Sequence, residues 1–238
     1  MKKVREIILV AIAVLFSTGV EAQENDIEAT ISADIVSQYI WRGQDLGNVS
    51  LQPSLDIGYK GLSLGVWGSV GLSEPSDNKE IDVTLSYSFS GFSFGITDYW
   101  TTEGQDLQNR YFKYESHKTN HVFEANIGYD FDFASLQWYT NFAGNDGVGK
   151  NGKRAYSSYF ELGVPFKLAG VDWTATAGAV PYATDYYDTD GFAVTNLSLN
   201  ASKEIKITDK FSLPVYAGVI SNPYAQKAYF VFGLTIQP

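Results

Sequence analysis

Apolar and polar residues alternate along this chain in runs of about ten, from residue 28 to residue 236. Neighbouring side chains in a strand point to opposite faces of a sheet, so such runs predict strands with one apolar and one polar face. Twelve strands are expected, over 28–42, 50–59, 62–72, 80–89, 92–101, 120–130, 133–143, 155–166, 171–180, 192–207, 211–220 and 228–236. The connections alternate as well. Lys60-Gly61, Ser90-Gly91, Asp132, 167–170 and 208–210 are tight, whereas 43–49, 73–79, 102–119, 144–154, 181–191 and 221–227 are longer. An even number of two-faced strands with alternating short and long connections predicts an all-β fold, a transmembrane antiparallel up-and-down β-barrel. Short turns belong at the periplasmic rim and long loops outside, which places both chain ends on the periplasmic side.

Parity sorts the side chains. One face collects Leu62, Leu64, Val66 and Val70, then Ile81, Val83, Leu85, Tyr87 and Phe89, then Phe230, Phe232, Leu234 and Ile236. This face is expected to meet lipid. The opposite face carries Asp34, Gln38, Arg42, Gln52, Asp56, Asp82, Glu124, Glu161 and Asp172, the candidate pore-lining residues. Tyr59, Phe89, Phe92, Phe131, Phe133, Phe166 and Phe211 lie beside tight turns, as a lower aromatic girdle would, and Tyr39, Trp41, Trp100, Phe142, Tyr156 and Phe192 lie at the other strand ends as an upper one. Two features fit less simply. Asp98 falls on the lipid-facing parity, which calls for a bulge or a position near the outer rim. Pro53, Pro165 and Pro214 lie inside strands, where bulges are expected.

The first 22 residues have the make-up of an export signal. Lys2, Lys3 and Arg5 precede an apolar run over 7–16, and Val20 and Ala22 stand where a signal peptidase reads. Cleavage after Ala22 would leave 23–238 as an outer-membrane barrel exported through the Sec pathway of a Gram-negative type cell. The apolar run of ten is too short to span a bilayer as a helix. There is no Cys in the chain, which rules out disulfides and thiolate-metal sites. The formal charge is −10, and −11 once the leader, with three basic and two acidic residues, is removed. That balance excludes nucleic acid as a natural partner, because phosphate binding needs concentrated Lys and Arg. Hydrophobic residues make up 45% of the chain, yet mean hydropathy is −0.13, as expected where one face is apolar and the other wet.

The stretch Ser37-Gln38-Tyr39-Ile40-Trp41-Arg42-Gly43, followed by Gln52-Pro53-Ser54-Leu55-Asp56-Ile57-Gly58-Tyr59, Gly65-Val66-Trp67-Gly68-Ser69 and Glu80-Ile81-Asp82, resembles the TorF-like porin family. The resemblance is strongest over residues 30 to 100. It implies an outer-membrane barrel with the role of a pore, for which the family has no agreed substrate. The carboxyl end, Leu234-Thr235-Ile236-Gln237-Pro238, departs from the aromatic terminus on which such barrels often close, a feature that bears on recognition by the barrel-assembly machinery.

The expected function is a channel for passive diffusion of small hydrophilic solutes. Twelve strands enclose a lumen between that of side-chain-filled eight-stranded barrels and that of wide sixteen-stranded porins. Carboxylates in its lining attract cations and repel anions, so cationic or neutral solutes are expected to pass. The same acids can instead bond to Ser, Thr and Tyr and plug the barrel, leaving a surface receptor or structural element; on either reading outer-membrane lipid and lipopolysaccharide are expected partners. Arg42 is expected to pair with a lumen carboxylate such as Asp56, or to form a constriction. An enzyme is not expected. His117 and His121, with Ser116 and Glu115 nearby, do not make a nucleophile–base pair by adjacency, and their spacing does not suit a metal on a strand. Gly147-Val148-Gly149-Lys150 lacks the spacing of a phosphate loop, and Asp185, Asp188, Asp190 and Gly191 lack the distal Glu of a calcium loop. No cofactor is implied.

Overall fold

The computed structural model describes residues 27–73, 77–102, 110–115, 118–209 and 211–237. The leader expected over 1–22 lies outside them. The strands are β1 (Ile27–Val36), β2 (Tyr39–Trp41), β3 (Gln44–Gly47), β4 (Ser50–Tyr59), β5 (Leu62–Gly71), β6 (Lys79–Phe89), β7 (Phe92–Thr102), β8 (His121–Asp130), β9 (Ser135–Gly144), β10 (Ser158–Leu168), β11 (Val171–Val180), β12 (Ala193–Lys206), β13 (Ser212–Asn222) and β14 (Lys227–Ile236). Twelve of them form a closed antiparallel barrel in which each strand pairs with its neighbour along the chain and β1 closes on β14. The remaining two, β2 and β3, pair only with each other.

The expected strand over 28–42 is therefore two elements. The barrel strand stops at Val36, held at the seam by a bond from Ser37 N to Phe232 O (2.9 Å) and one from Phe232 N to Ser37 Oγ (3.0 Å). Beyond it the chain folds into the β2–β3 hairpin, whose tip is Arg42 and Gly43, both with positive φ (50° and 79°). That conformation matches the tight turns of the barrel itself, Lys60-Gly61, Ser90-Gly91 and Ala169-Gly170, where left-handed residues join strands without splaying them.

The prolines make no bulges. Pro53 pairs with Ala33 on β1, and on its other side the β4–β5 ladder resumes in the same register at Ser54↔Trp67. Pro165 lies past the end of its β9 ladder and Pro214 past the end of its β14 ladder. A missing N–H costs little where no partner strand waits for it. Among the described residues the register shifts are elsewhere, at Phe123/Glu124 and Gly178/Ala179 in the barrel and at Tyr39/Ile40 in the hairpin.

Burial is inverted relative to a water-soluble protein. Leu62, Leu64, Leu85, Ile96, Phe230 and Phe232 are exposed on the outer wall, while Gln52, Glu80, Asp82, Thr97, Glu124, Asn141 and Asn196 are buried inside. Among the described residues, the buried apolar cluster is small, Tyr159, Val180 and Tyr187, with Trp41, Tyr139 and Tyr186 against it. An apolar wall of this extent facing water would forgo roughly 25 cal/mol for each Å². Such a wall is suited to hydrocarbon, and the barrel closes by pairing Ala33–Val36 of β1 with Gly233–Ile236 of β14.

Candidate functional site

The hairpin carries its tip across the lumen. Arg42 Nη1 and Nη2 donate to the two Glu124 oxygens at 2.6 and 2.9 Å, a bidentate pair, and Nη1 also donates to the Tyr187 hydroxyl at 2.6 Å. Tyr99 donates to the same carboxylate at 2.9 Å. The guanidinium lies 4.3, 4.0 and 4.7 Å from the ring centroids of Trp41, Tyr139 and Tyr159. The side chains of Arg42 and Glu124 are only 7% and 2% exposed, so water competes little for either charge. Burial alone would lower the Arg42 pKa. The Tyr187 hydroxyl and Glu124 outweigh it and hold the group above its ordinary value. The planar fork of arginine suits this position, since it can meet a carboxylate with two bonds while its faces stack on rings.

The partners come from one stretch of wall, on the far side of the barrel from β1. Glu124 and Tyr99 stand on β8 and β7, Tyr139 and Tyr159 on β9 and β10, and Tyr187 on a short 3-10 turn, Asp185–Tyr187, inside the loop that follows β11. Thr184 caps that turn by accepting from Tyr186 N, and its hydroxyl lies 2.6 Å from that of Ser157. Trp41 stacks on Tyr187 at 6.0 Å with 11° between the rings. At the tip, Gly43 passes so close to the Thr195 carbonyl that a Cβ there would overlap it, and its own carbonyl accepts from Asn222 Nδ2 at 3.2 Å. Tyr39, on the other arm, packs on Trp67 at 5.4 Å and donates to Glu80. Burial first, then the Glu80 and Asp82 carboxylates, push its phenol well above the ordinary range. Oxygens of Glu80 and Asp82 remain buried without a hydrogen-bond partner.

Next to the hairpin is a cavity of about 360 Å³ lined by Gln38, Gln52, Glu161, Asn196, Asn200 and Tyr216, among others. That is room for on the order of ten waters. The pore-lining candidates are thus spread over several levels. Arg42 and Glu124 meet at the hairpin, and Asp82 lies beside Glu80. Gln38 donates to Asp45 across the base of the hairpin at 3.0 Å. Gln52 and Glu161 line the cavity, with Glu161 accepting from Tyr159 at 2.7 Å. Asp34 accepts from Tyr216 at 3.5 Å. Asp56 is exposed among Glu28, Thr30 and Lys60 near the tight-turn rim, and Asp172 is exposed beside Lys167 at 3.1 Å. Arg42 does not pair with Asp56, because the hairpin lifts it away from its own strand and toward the far wall. Tyr39 and Trp41 are likewise in the lumen and not in an outer girdle. Sequence reading passed over Glu80 and Tyr187; Glu80 shares the inward parity of Asp82, whereas nothing local signals that Tyr187 turns inward.

Asp98 lies on the outer face at the long-loop end. Its Oδ1 is 2.8 Å from His121 Nδ1, while His121 Nε2 is 2.5 Å from the Tyr111 carbonyl. Nε2 can only donate to that carbonyl and Nδ1 faces the carboxyl, so both ring nitrogens are taken up by fixed partners. Tyr111 and Tyr114 cover the pair, Tyr114 at 4.3 Å from the His121 ring. Ser116 and His117 lie outside the described residues. Among the described residues, no three His, Asp or Glu side chains are grouped to hold a metal.

A family model described as "Bacterial protein of unknown function (Gcw_chp)" matches residues 22–222. No curated protein matches the chain. Among solved structures, the NanC porin aligns over 88% of this chain and 98% of its own with 6% identity and a TM-score of 0.44. The COG4313 outer membrane channel from Pseudomonas putida F1 aligns over 92% and 97% with 13% identity and a TM-score of 0.41. Likenesses at these scores say nothing of what passes through the barrel.

Proposed function

The chain belongs to the Gcw_chp family, and on that footing we propose that it is an outer-membrane channel for small hydrophilic solutes, cationic or neutral, stoppered by its own β2–β3 hairpin. The observation that carries this reading is the seating of Arg42 on Glu124 across a polar lumen, with a polar cavity of about 360 Å³ beside it. The leader directs export through the Sec pathway, and the apolar outer wall seats the barrel in the outer membrane with help from the assembly machinery. The resemblance to TorF-like porins agrees with a pore. At several levels of the barrel the inward-facing acids Asp34, Asp56, Glu80, Asp82, Glu124, Glu161 and Asp172 outnumber Arg42, so the lumen carries a net negative field that favours cations.

The buried ion pair also supports a second reading, a barrel that never conducts and presents its loops as a receptor or structural surface. Reconstitution into a planar bilayer separates the two. Stepwise currents whose reversal potential in a salt gradient shows cation preference support the channel. A folded but silent barrel supports the second reading, and marked anion selectivity contradicts the proposed lining.

A further inference from the structure

The segment that covers Asp98 and His121 has a second face. Its inner side, Tyr111 and Tyr114, packs on Trp100, His121 and Phe123, which all point outward from β7 and β8. Its outer side presents Arg110, Phe112, Lys113 and Lys118, all exposed, with Phe112 at 86%. Lys118 pairs with the nearby Glu115 at 2.7 Å. The height of this strap follows from the register. Trp100↔His121 is eight residues above Phe92↔Tyr129, the level of the lower aromatic girdle. At about 3.3 Å per residue and a tilt near 40°, that is a rise of about 20 Å, close to the top of an apolar band about 25 Å tall.

An exposed aromatic flanked by basic side chains at that height fits the boundary between acyl chains and charged headgroups. We propose that the outer face of the strap over 110–115 binds the phosphorylated headgroup of an outer-leaflet lipid. Phe112 enters the acyl layer while Arg110 and Lys113 reach upward to phosphate oxygens. Arginine can take a phosphate with two parallel bonds, and lysine meets it as a point charge. A basic face is notable on a chain of net charge −10, whose acids otherwise repel such lipids. The inward face explains why the strap stays put, since leaving would bare Asp98 and His121 to hydrocarbon. This site rests on the outer-membrane setting of the proposed function but not on conduction.

The test is lipid retention by the full-length mature barrel in neutral detergent, read by native mass spectrometry with lipid A as probe. The wild type should retain lipid A in preference to phosphatidylcholine. The double variant Arg110→Glu, Lys113→Glu should weaken retention by on the order of thirtyfold or more, taking roughly fivefold per basic group near an anionic surface. Phe112→Ser should weaken it less. Both variants alter exposed side chains, and unchanged heat-modifiable gel mobility verifies that the barrel is folded. Equal retention by wild type and double variant overturns the proposal. So does displacement of lipid A by millimolar inorganic phosphate, which would mark a plain anion site. A barrel that binds lipid A yet carries no current leaves this site standing and removes the channel reading.

Discussion

Replacing Arg42 by alanine should unseat the hairpin and leave the barrel intact. The guanidinium makes two bonds to Glu124 and one to Tyr187, and all of them are lost together. Removing one partner of a buried ion pair costs about 3–5 kcal/mol, mostly because the other charge is stranded. Glu124 can recover its hydration only if the hairpin withdraws and water takes its place. The barrel ladders do not contain β2 or β3, so that cost falls on the seating of the hairpin. A penalty of this size shifts the ratio of withdrawn to seated hairpin by roughly 150- to 5,000-fold. A channel open about 0.1% of the time would then be open for more than roughly a tenth of it. Single-channel recording in planar bilayers reads this directly. The charge-swapped pair Arg42→Glu, Glu124→Arg should move the open fraction back toward that of the wild type. An Arg42→Ala barrel with wild-type open fraction and conductance would refute the reasoning, because the ion pair would then hold nothing closed.

Gly43→Val should produce the same release by a different route, since a side chain at φ 79° collides with the Thr195 carbonyl. Trypsin added from outside should then cut after Arg42, which is shielded in the wild type; equal resistance in both would contradict the packing at the tip. Leu85→Arg, on the outer wall, should destabilise the barrel in lipid by about 2–4 kcal/mol in urea unfolding. Ser198→Arg, facing the cavity, should cost much less, and equal penalties would contradict the assignment of faces.

The barrel was legible because its signal is local. Parity in β5, β6 and β14 requires only neighbouring residues, and Lys60-Gly61 and Ser90-Gly91 announce tight turns by composition. The hairpin obeys the same rule, and Arg42-Gly43 is the same kind of turn signal. It passes for the end of a strand because Tyr39 and Trp41 keep the apolar parity of Ile31, Ala33 and Ile35, while Gln38 and Arg42 keep the polar parity of Asp34. Which wall the tip meets is a different matter. Arg42 and Glu124 are 82 residues apart, and only the closed geometry brings them together. Asp98 shows the intermediate case. Its parity predicted an outward charge near the rim, and His121 occupies the same face of the next strand, but the Tyr111 and Tyr114 cover comes from a loop whose path no periodicity describes.

A membrane-spanning barrel needs an apolar outside and a wet inside, and the absence of cysteine allows each face to be labelled singly. Spin labels placed one at a time along β5, from Leu62 to Val70, in barrels reconstituted into liposomes, report collisions with oxygen, which dissolves in lipid, and with a water-soluble nickel complex. Oxygen should dominate at Leu62, Leu64 and Val66 and the nickel complex at Ser63, Gly65 and Trp67, with a period of two residues. A profile without that period, or one with the two sets exchanged, would contradict the barrel as a membrane-spanning channel.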